Sequence, residues 1–145
     1  MESQHDNRFS NQYLNLAEER LGTVVLATTD DFFAEKENVI KPGRGIFIPD
    51  KFTDDGKWMD GWESRRKRIP GHDWCSIRLG APGKIRALDI DTNHFTGNFP
   101  PFASLEACEI TGDPDDSTEW TELLAKSPLQ GTSQNFFEVS GEQRW

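Results

Sequence analysis

The sequence predicts an all-β domain of the β-sandwich kind, and three observations carry that reading. Short apolar or alternating runs recur along the chain, separated by turn signals rich in Gly, Pro and Asp. No strand–helix–strand alternation, no G-x-G-x-x-G and no internal repeat is present, which removes the nucleotide-binding α/β folds. Hydrophobic residues make up only 34% of the chain while aromatics reach 11%, with 10 Phe and 5 Trp. A core of that make-up leans on aromatic rings rather than aliphatic stems. At 145 residues the chain is long enough for one domain with a real core. That domain is expected over 15–145, behind a polar segment, 1–14, expected to be frayed or disordered.

Leu21–Ala27 (LGTVVLA) is the first strand candidate, since Val24 and Val25 are β-branched and Leu26 is apolar. Over Asp30–Glu37 a turn or a single helical turn is expected, anchored by Phe32 and Phe33. Pro42, Gly43 and Gly45 punctuate a loop, after which Phe47 and Ile48 are expected inside, just before Pro49. The stretch Gly56–Arg68 is too rich in Gly and Trp for a clean helix and reads as a loop entering a strand. Trp74–Leu79 alternates, with Cys75, Ile77 and Leu79 on one face, and predicts a half-buried antiparallel strand. Ala81-Pro82-Gly83 turns the chain into the next strand, Lys84–Asp91, so the two are expected to form a hairpin. Asn93–Pro101 is a loop stiffened by two prolines, Phe102–Ile110 a strand, and Gly112–Ser117 a solvated turn. Trp120–Leu124 is short and ambiguous, and Asn135–Ser140 is the last strand expected.

The formal net charge of −9 makes nucleic acid and anionic membrane poor partners. An anionic small molecule would need local Arg or Lys to overcome that field. Cys75 and Cys108 are too few for a disulfide scaffold and read as reduced, largely buried thiols. MESQHDNRFS at the N-terminus has no apolar h-region, and no run approaches membrane-spanning length. The chain reads as soluble and cytoplasmic.

Polar chemistry concentrates in Gly56–Cys75, GKWMDGWESRRKRIPGHDWC. It holds Trp58 and Trp62, the acids Asp60, Glu63 and Asp73, His72, and the cations Lys57, Arg65, Arg66, Lys67 and Arg68. Asp89–Pro101, DIDTNHFTGNFPP, is a second block. Both blocks resemble the allantoicase family, as do NLAEERLG at Asn15–Gly22, DDFFAEKENVIKPG at Asp30–Gly43 and SLEACEI at Ser104–Ile110. The resemblance covers most of the chain, from about Asn15 onward. It implies a jelly-roll β-sandwich of the galactose-binding-like type, normally present as two tandem repeats. This chain matches the first repeat and is expected to be incomplete at the C-terminus. The resemblance further implies hydrolysis of allantoate to ureidoglycolate and urea by the complete enzyme, with this piece alone inactive. Expected partners are a small-molecule ureide substrate, the second repeat and, when complete, further copies in a homo-oligomer; nucleic acid and membrane are not expected. No cofactor is expected. The alternative is a non-catalytic small-molecule or carbohydrate-binding β-sandwich module.

Allantoate is a carboxylate with two ureido groups on one carbon, and releasing urea breaks a C–N bond there. That chemistry needs a cation for the carboxylate, acceptors for ureido N–H groups and a group that moves protons. Arg65 and Arg66 suit the carboxylate, Asp60 and Glu63 suit the ureido nitrogens, and His72 or His94 titrates near neutral pH. His94 lies just past a strand end, in a loop containing Gly and Asn, where β scaffolds often place function. The resulting assignment has Glu63, His94 and Asp60 as catalytic and Arg65, Lys57, His72 and Asn98 as substrate-binding, with no metal ligand. Alternatives stand beside several of these. Arg65 is equally an ion-pair partner for Glu63. Arg66 and Lys67 read as a solvated face, Trp58 and Trp62 as packing anchors, His72 as a loop cap and Asn98 as a turn residue. The run Asp89-x-Asp91-x-x-His94 admits a divalent metal, although an i, i+2 acid pair is commonly a solvated strand edge.

Overall fold

In the computed structural model, which describes residues 5–145, the chain forms eight short strands and two 3-10 turns. It divides into two compact units: an N-terminal unit, Tyr13–Ala81, and a C-terminal unit made of residues 5–12 with Pro82–Trp145. The sequence predicted one domain over 15–145. The boundary falls at the Ala81-Pro82-Gly83 turn because the strands on either side of it take partners within their own units.

The N-terminal unit contains β1 (Val24–Thr28), β2 (Phe52–Thr53), β3 (Gly56–Lys57) and β4 (Cys75–Arg78). The β-branched pair Val24–Val25 sets β1, but its start moves from Leu21 to Val24. Leu21 ends a 3-10 turn, Glu19–Leu21, capped by Gly22 at φ 99°. β1 pairs antiparallel with β4, with Val25 opposite Ile77 and Thr28 opposite Cys75, and Thr29 N–H extends the contact to Trp74 O at 3.0 Å. β2 and β3 make a minimal antiparallel pair. At the foot of β1 the buried Thr23 ties three segments together: its hydroxyl donates to Leu16 O (2.6 Å) and accepts from Gly80 N–H (2.9 Å). Only glycine fits at position 80, where a Cβ would stand 2.3 Å from the Leu21 carbonyl oxygen.

Ala34, Ile40 and Met59 are the buried apolar residues of this unit. Phe47 and Ile48, expected inside, are instead 40% and 39% exposed. Their segment joins no ladder, and the Phe47 ring lies 5.6 Å from the Lys57 ammonium at the surface. The thiols of Cys75 and Cys108 are free but half-buried rather than largely buried. Burial pushes both up, Cys75 to about 11.

The C-terminal unit contains β5 (Ala87–Asp91), β6 (Phe102–Ala107), β7 (Thr121–Pro128) and β8 (Gln134–Glu138). β5 pairs antiparallel with β8, and β6 with β7. The expected hairpin between 74–79 and 84–91 therefore does not form: β4 takes β1 and β5 takes β8. Backbone partners explain it. Gly80 N–H is drawn to Thr23, while Gly83 exchanges two backbone hydrogen bonds with Trp145, at 2.9 and 2.8 Å. The ambiguous run Trp120–Leu124 opens the longest strand, β7, which its partner β6 draws into a ladder. Phe95 and Leu129 are buried in this unit.

Residues 1–4 of the segment expected to be frayed lie outside the described residues. Of the residues that are described, Asp6, Arg8 and Phe9 contact β8. Asp6 and Gln134 exchange two hydrogen bonds, Asp6 N–H to Gln134 Oε1 (2.8 Å) and Gln134 Nε2–H to Asp6 O (3.0 Å). The Phe136 ring takes Phe9 edge-on at 5.0 Å and the Arg8 guanidinium at 4.2 Å. No helix among the described residues is long and apolar enough to cross a membrane.

Candidate functional site

In the N-terminal unit, Asp30 and the backbone of Phe33–Ala34 organise the polar block. Glu63 and Ala34 form an isolated antiparallel bridge, with Glu63 N–H donating to Ala34 O at 3.0 Å and Ala34 N–H to Glu63 O at 3.2 Å. The Trp62 indole N–H donates to Asp30 O at 2.7 Å. The bridge lays Glu63–Arg65 along Asp30–Ala34 and so brings Asp30 to Arg65. Asp30 Oδ1 accepts the backbone N–H groups of Phe32 and Arg65, both at 3.0 Å. Its Oδ2 receives Arg65 Nε and Nη2, both at 2.7 Å. The Phe32 N–H, followed by the Arg65 contacts, holds the Asp30 carboxyl down at about 2. Arg65 is therefore the partner of Asp30, not of Glu63 as the sequence allowed.

Asp73 is a second anchor. Its Oδ1 accepts from Thr29 Oγ1 at 2.8 Å, its Oδ2 from Ser64 Oγ at 3.4 Å, and Lys67 Nζ lies 3.7 Å away. Asp60 uses Oδ2 to accept the Ile46 N–H at 2.9 Å, which ties the 44–48 segment to the block. Lys57 lies on β3 and His72 is exposed just after Gly71. Trp58 takes the Lys51 ammonium over its ring at 4.0 Å. The run Arg65–Arg68 lines a cleft of ≈ 590 Å³ with Asp30, Phe33 and Asp73. Four cations there meet two carboxylates, so the cleft is positive inside a chain of net charge −9.

In the C-terminal unit, the polar loop after β5 contains some of that unit's most buried residues. Thr92, Asn93 and Phe95 are only 4%, 3% and 8% exposed. The Thr92 hydroxyl contacts Gln130 O (2.6 Å) and Ser133 O (3.1 Å) and accepts from Ser133 N–H (3.2 Å). Asn135 Nδ2 donates to Ile90 O (2.9 Å) and Gln130 O (3.2 Å), while its Oδ1 accepts from Gln130 N–H (2.9 Å). This frame carries the half-buried His94 in a left-handed conformation, φ 68°, which a non-glycine residue holds when its surroundings over-determine it. Asn98 is exposed further along the loop.

Asp89 and Asp91, the acids of the metal alternative, serve the frame. Asp89 Oδ2 accepts from Gln134 Nε2 at 2.8 Å and Asp91 Oδ1 from Asn93 N–H at 2.9 Å. Among the described residues no three His, Cys, Asp or Glu side chains gather as a metal group.

Of the residues singled out from sequence, Asp60, Glu63, Arg65, Lys57 and His72 belong to the N-terminal unit, and His94 and Asn98 to the other. Sequence reasoning gave no role to Asp30, Thr29 and Asp73 in the first or to Thr92, Ser133 and Asn135 in the second. The Asp30-Asp31 pair directly after a strand end was a signal for a capping turn; nothing local marked Asn135.

All-β pairing of short strands, with the ionisable residues gathered on the loops beyond them, defines a β-sandwich that places chemistry on its loops. Residues 14–145 match the allantoicase repeat, and the chain belongs to the allantoicase family. It is 52% identical over 132 residues to probable allantoicase 1 of Burkholderia mallei, covering 90% of this chain and 39% of that protein. With a probable allantoicase of Pseudomonas fluorescens it shares 51% over 133 residues, 91% of this chain and 40% of the relative. The chain thus spans about 40% of the length of the curated relatives it matches. The crystal structure of allantoicase from Saccharomyces cerevisiae superposes with a TM-score of 0.74 at 34% identity, over 90% of this chain and 36% of that one. The β-sandwich fold expected from sequence is the fold of these structures.

Proposed function

We propose that this chain is part of an allantoicase, the C–N hydrolase that converts allantoate to ureidoglycolate and urea in purine breakdown. The observation that carries the reading is the 52% identity over 132 residues with probable allantoicase 1 of Burkholderia mallei. The site chemistry agrees with it. A positive cleft in an acidic chain suits an anionic substrate, and allantoate presents one carboxylate and N–H-rich ureido groups. Glu63 and His94 are the proposed proton-transfer groups. Asp60, engaged with Ile46 N–H, acts as a positioning residue, as does Arg65 in the grip of Asp30. Lys57, His72 and Asn98 remain the proposed substrate contacts, and no cofactor is invoked. The complete enzyme carries a second repeat and assembles as a homo-oligomer, and this piece alone is inactive.

The test is urea release from allantoate by the full two-repeat protein. Glu63→Gln or His94→Ala should lower turnover about a hundredfold or more, the usual loss for a positioned proton-transfer group. Arg20→Gln, which removes a surface cation paired with Glu18, should leave turnover unchanged. Absence of urea release would overturn the activity, and full turnover in both site variants would move the chemistry elsewhere.

A further inference from the structure

The four consecutive cations of the N-terminal cleft are not equivalent. Arg65 is locked by Asp30 through two 2.7 Å contacts, and Lys67 lies 3.7 Å from Asp73. Both acids are themselves fixed, Asp30 by the N–H groups of Phe32 and Arg65 and Asp73 by Thr29 Oγ1 and Ser64 Oγ. Arg66 and Arg68 have no carboxylate partner among the described residues, yet both line the same cleft and both are exposed. The two ion pairs thus pin the segment while its other two guanidiniums stay unneutralised.

We infer that Arg66 and Arg68 form a carboxylate-binding subsite for a small anionic ligand, with the Arg65–Asp30 and Lys67–Asp73 pairs as its scaffold. Guanidinium forks match a carboxylate with two parallel N–H···O bonds. Two like charges held on one short segment repel, and an anion between them relieves that repulsion. A polyanion is disfavoured by the chain's net charge of −9. The inference rests on the allantoicase reading for the identity of the ligand, the carboxylate end of allantoate, but not for its charge class. It also reverses the expectation that Arg66 is merely solvated.

Two probes separate the inference from the reading it rests on. N-carbamoylglycine has the carboxylate and a single ureido group; N-carbamoylglycinamide is its uncharged amide. Calorimetric titration of the full two-repeat protein should show the acid binding about tenfold or more tighter than the amide, the scale of charge-assisted hydrogen bonds. In Arg66→Gln/Arg68→Gln that preference should collapse to less than about twofold. Arg20→Gln, which removes one cation elsewhere in the unit, should keep it. With allantoate, the double variant should raise KM about tenfold while kcat stays within about twofold. Both arginines are exposed, and a melt matching the wild type confirms that the variant is folded. A preference for the acid that survives in the double variant overturns the inference, as does equal binding of acid and amide by the wild type. Loss of the preference in a protein that releases no urea upholds the subsite and overturns the allantoicase activity instead.

Discussion

In the N-terminal unit the loop over 62–74 is fastened by the carboxylates of Asp30 and Asp73, whereas in the C-terminal unit the loop over 92–101 is tied to the 130–135 segment by the neutral groups Thr92, Ser133 and Asn135. The first network faces a cleft lined by cations. The second surrounds residues that are almost wholly buried. A charged, solvent-facing network holds its geometry only while its acids stay ionised, and salt screens it. A neutral buried network does not titrate, but losing one member strands its partners away from water, which costs more. The difference separates a loop tuned for an anion from a loop that is a rigid mount for His94.

The largest effect that bears on this contrast is expected at Gly131. A Cβ there would stand 2.6 Å from the Phe99 ring and 2.8 Å from Thr96 O, inside the neutral mount. Gly131→Ala should destabilise the protein by about 2–3 kcal/mol, the range of overpacking, as read by chemical denaturation. A loss below about 0.5 kcal/mol would show that the mount has room to relax.

Thr92→Val keeps the shape and removes the hydroxyl that contacts Gln130 O and Ser133 O and accepts from Ser133 N–H. The expected loss is about 1–2 kcal/mol. It should be the same at pH 7 and at pH 4, since every group that meets this hydroxyl, Gln130 O and the Ser133 O and N–H, is backbone and carries no titrating proton. A loss that changes with pH would erase the contrast between the two loops.

Asp30→Asn should be the mildest at neutral pH, below about 1 kcal/mol for a screened pair, and the only one of the three to depend on pH. The Asp30 carboxyl is held at about 2 in the fold, below its ordinary 3.8. A depressed folded value means that its contribution is fully present above about pH 4 and disappears as pH falls through 2. Glu142, lowered to about 2 by Arg86 and then Lys84, acts in the same window, so the informative quantity is the gap between wild type and variant. Melts collected between neutral pH and about pH 2 should show that gap closing as acid is added. A gap independent of pH would mean that charge does not hold this loop.

Particular residues show where the sequence was legible. Val24–Val25 marked β1, the alternation over Trp74–Leu79 marked β4, and Gly112–Ser117 marked a turn, each through local chemistry alone. The two polar blocks were equally visible, because Gly, Trp, His and charged residues in one run need no partner to be noticed. Arg65 was readable as a cation seeking an acid, but its acid sits 35 positions upstream in Asp30, and the nearer Glu63 looked equally good.

What the sequence by itself determined was therefore the all-β class, the placement of most strands and loops, and the residue types available to a site, since periodicity and turn chemistry are properties of a few adjacent residues. The tertiary structure alone decided which strand each edge pairs with, sending β4 to β1 and β5 to β8. It also decided that Phe47 and Ile48 face water, that residues 5–12 clasp β8 through Gln134 and Phe136, and which two of four neighbouring cations keep their charge unopposed. Each of these depends on a backbone group or carboxylate delivered from far along the chain. Such pairings are settled by competition among all the edges and charges that the fold brings within reach, which no local pattern encodes.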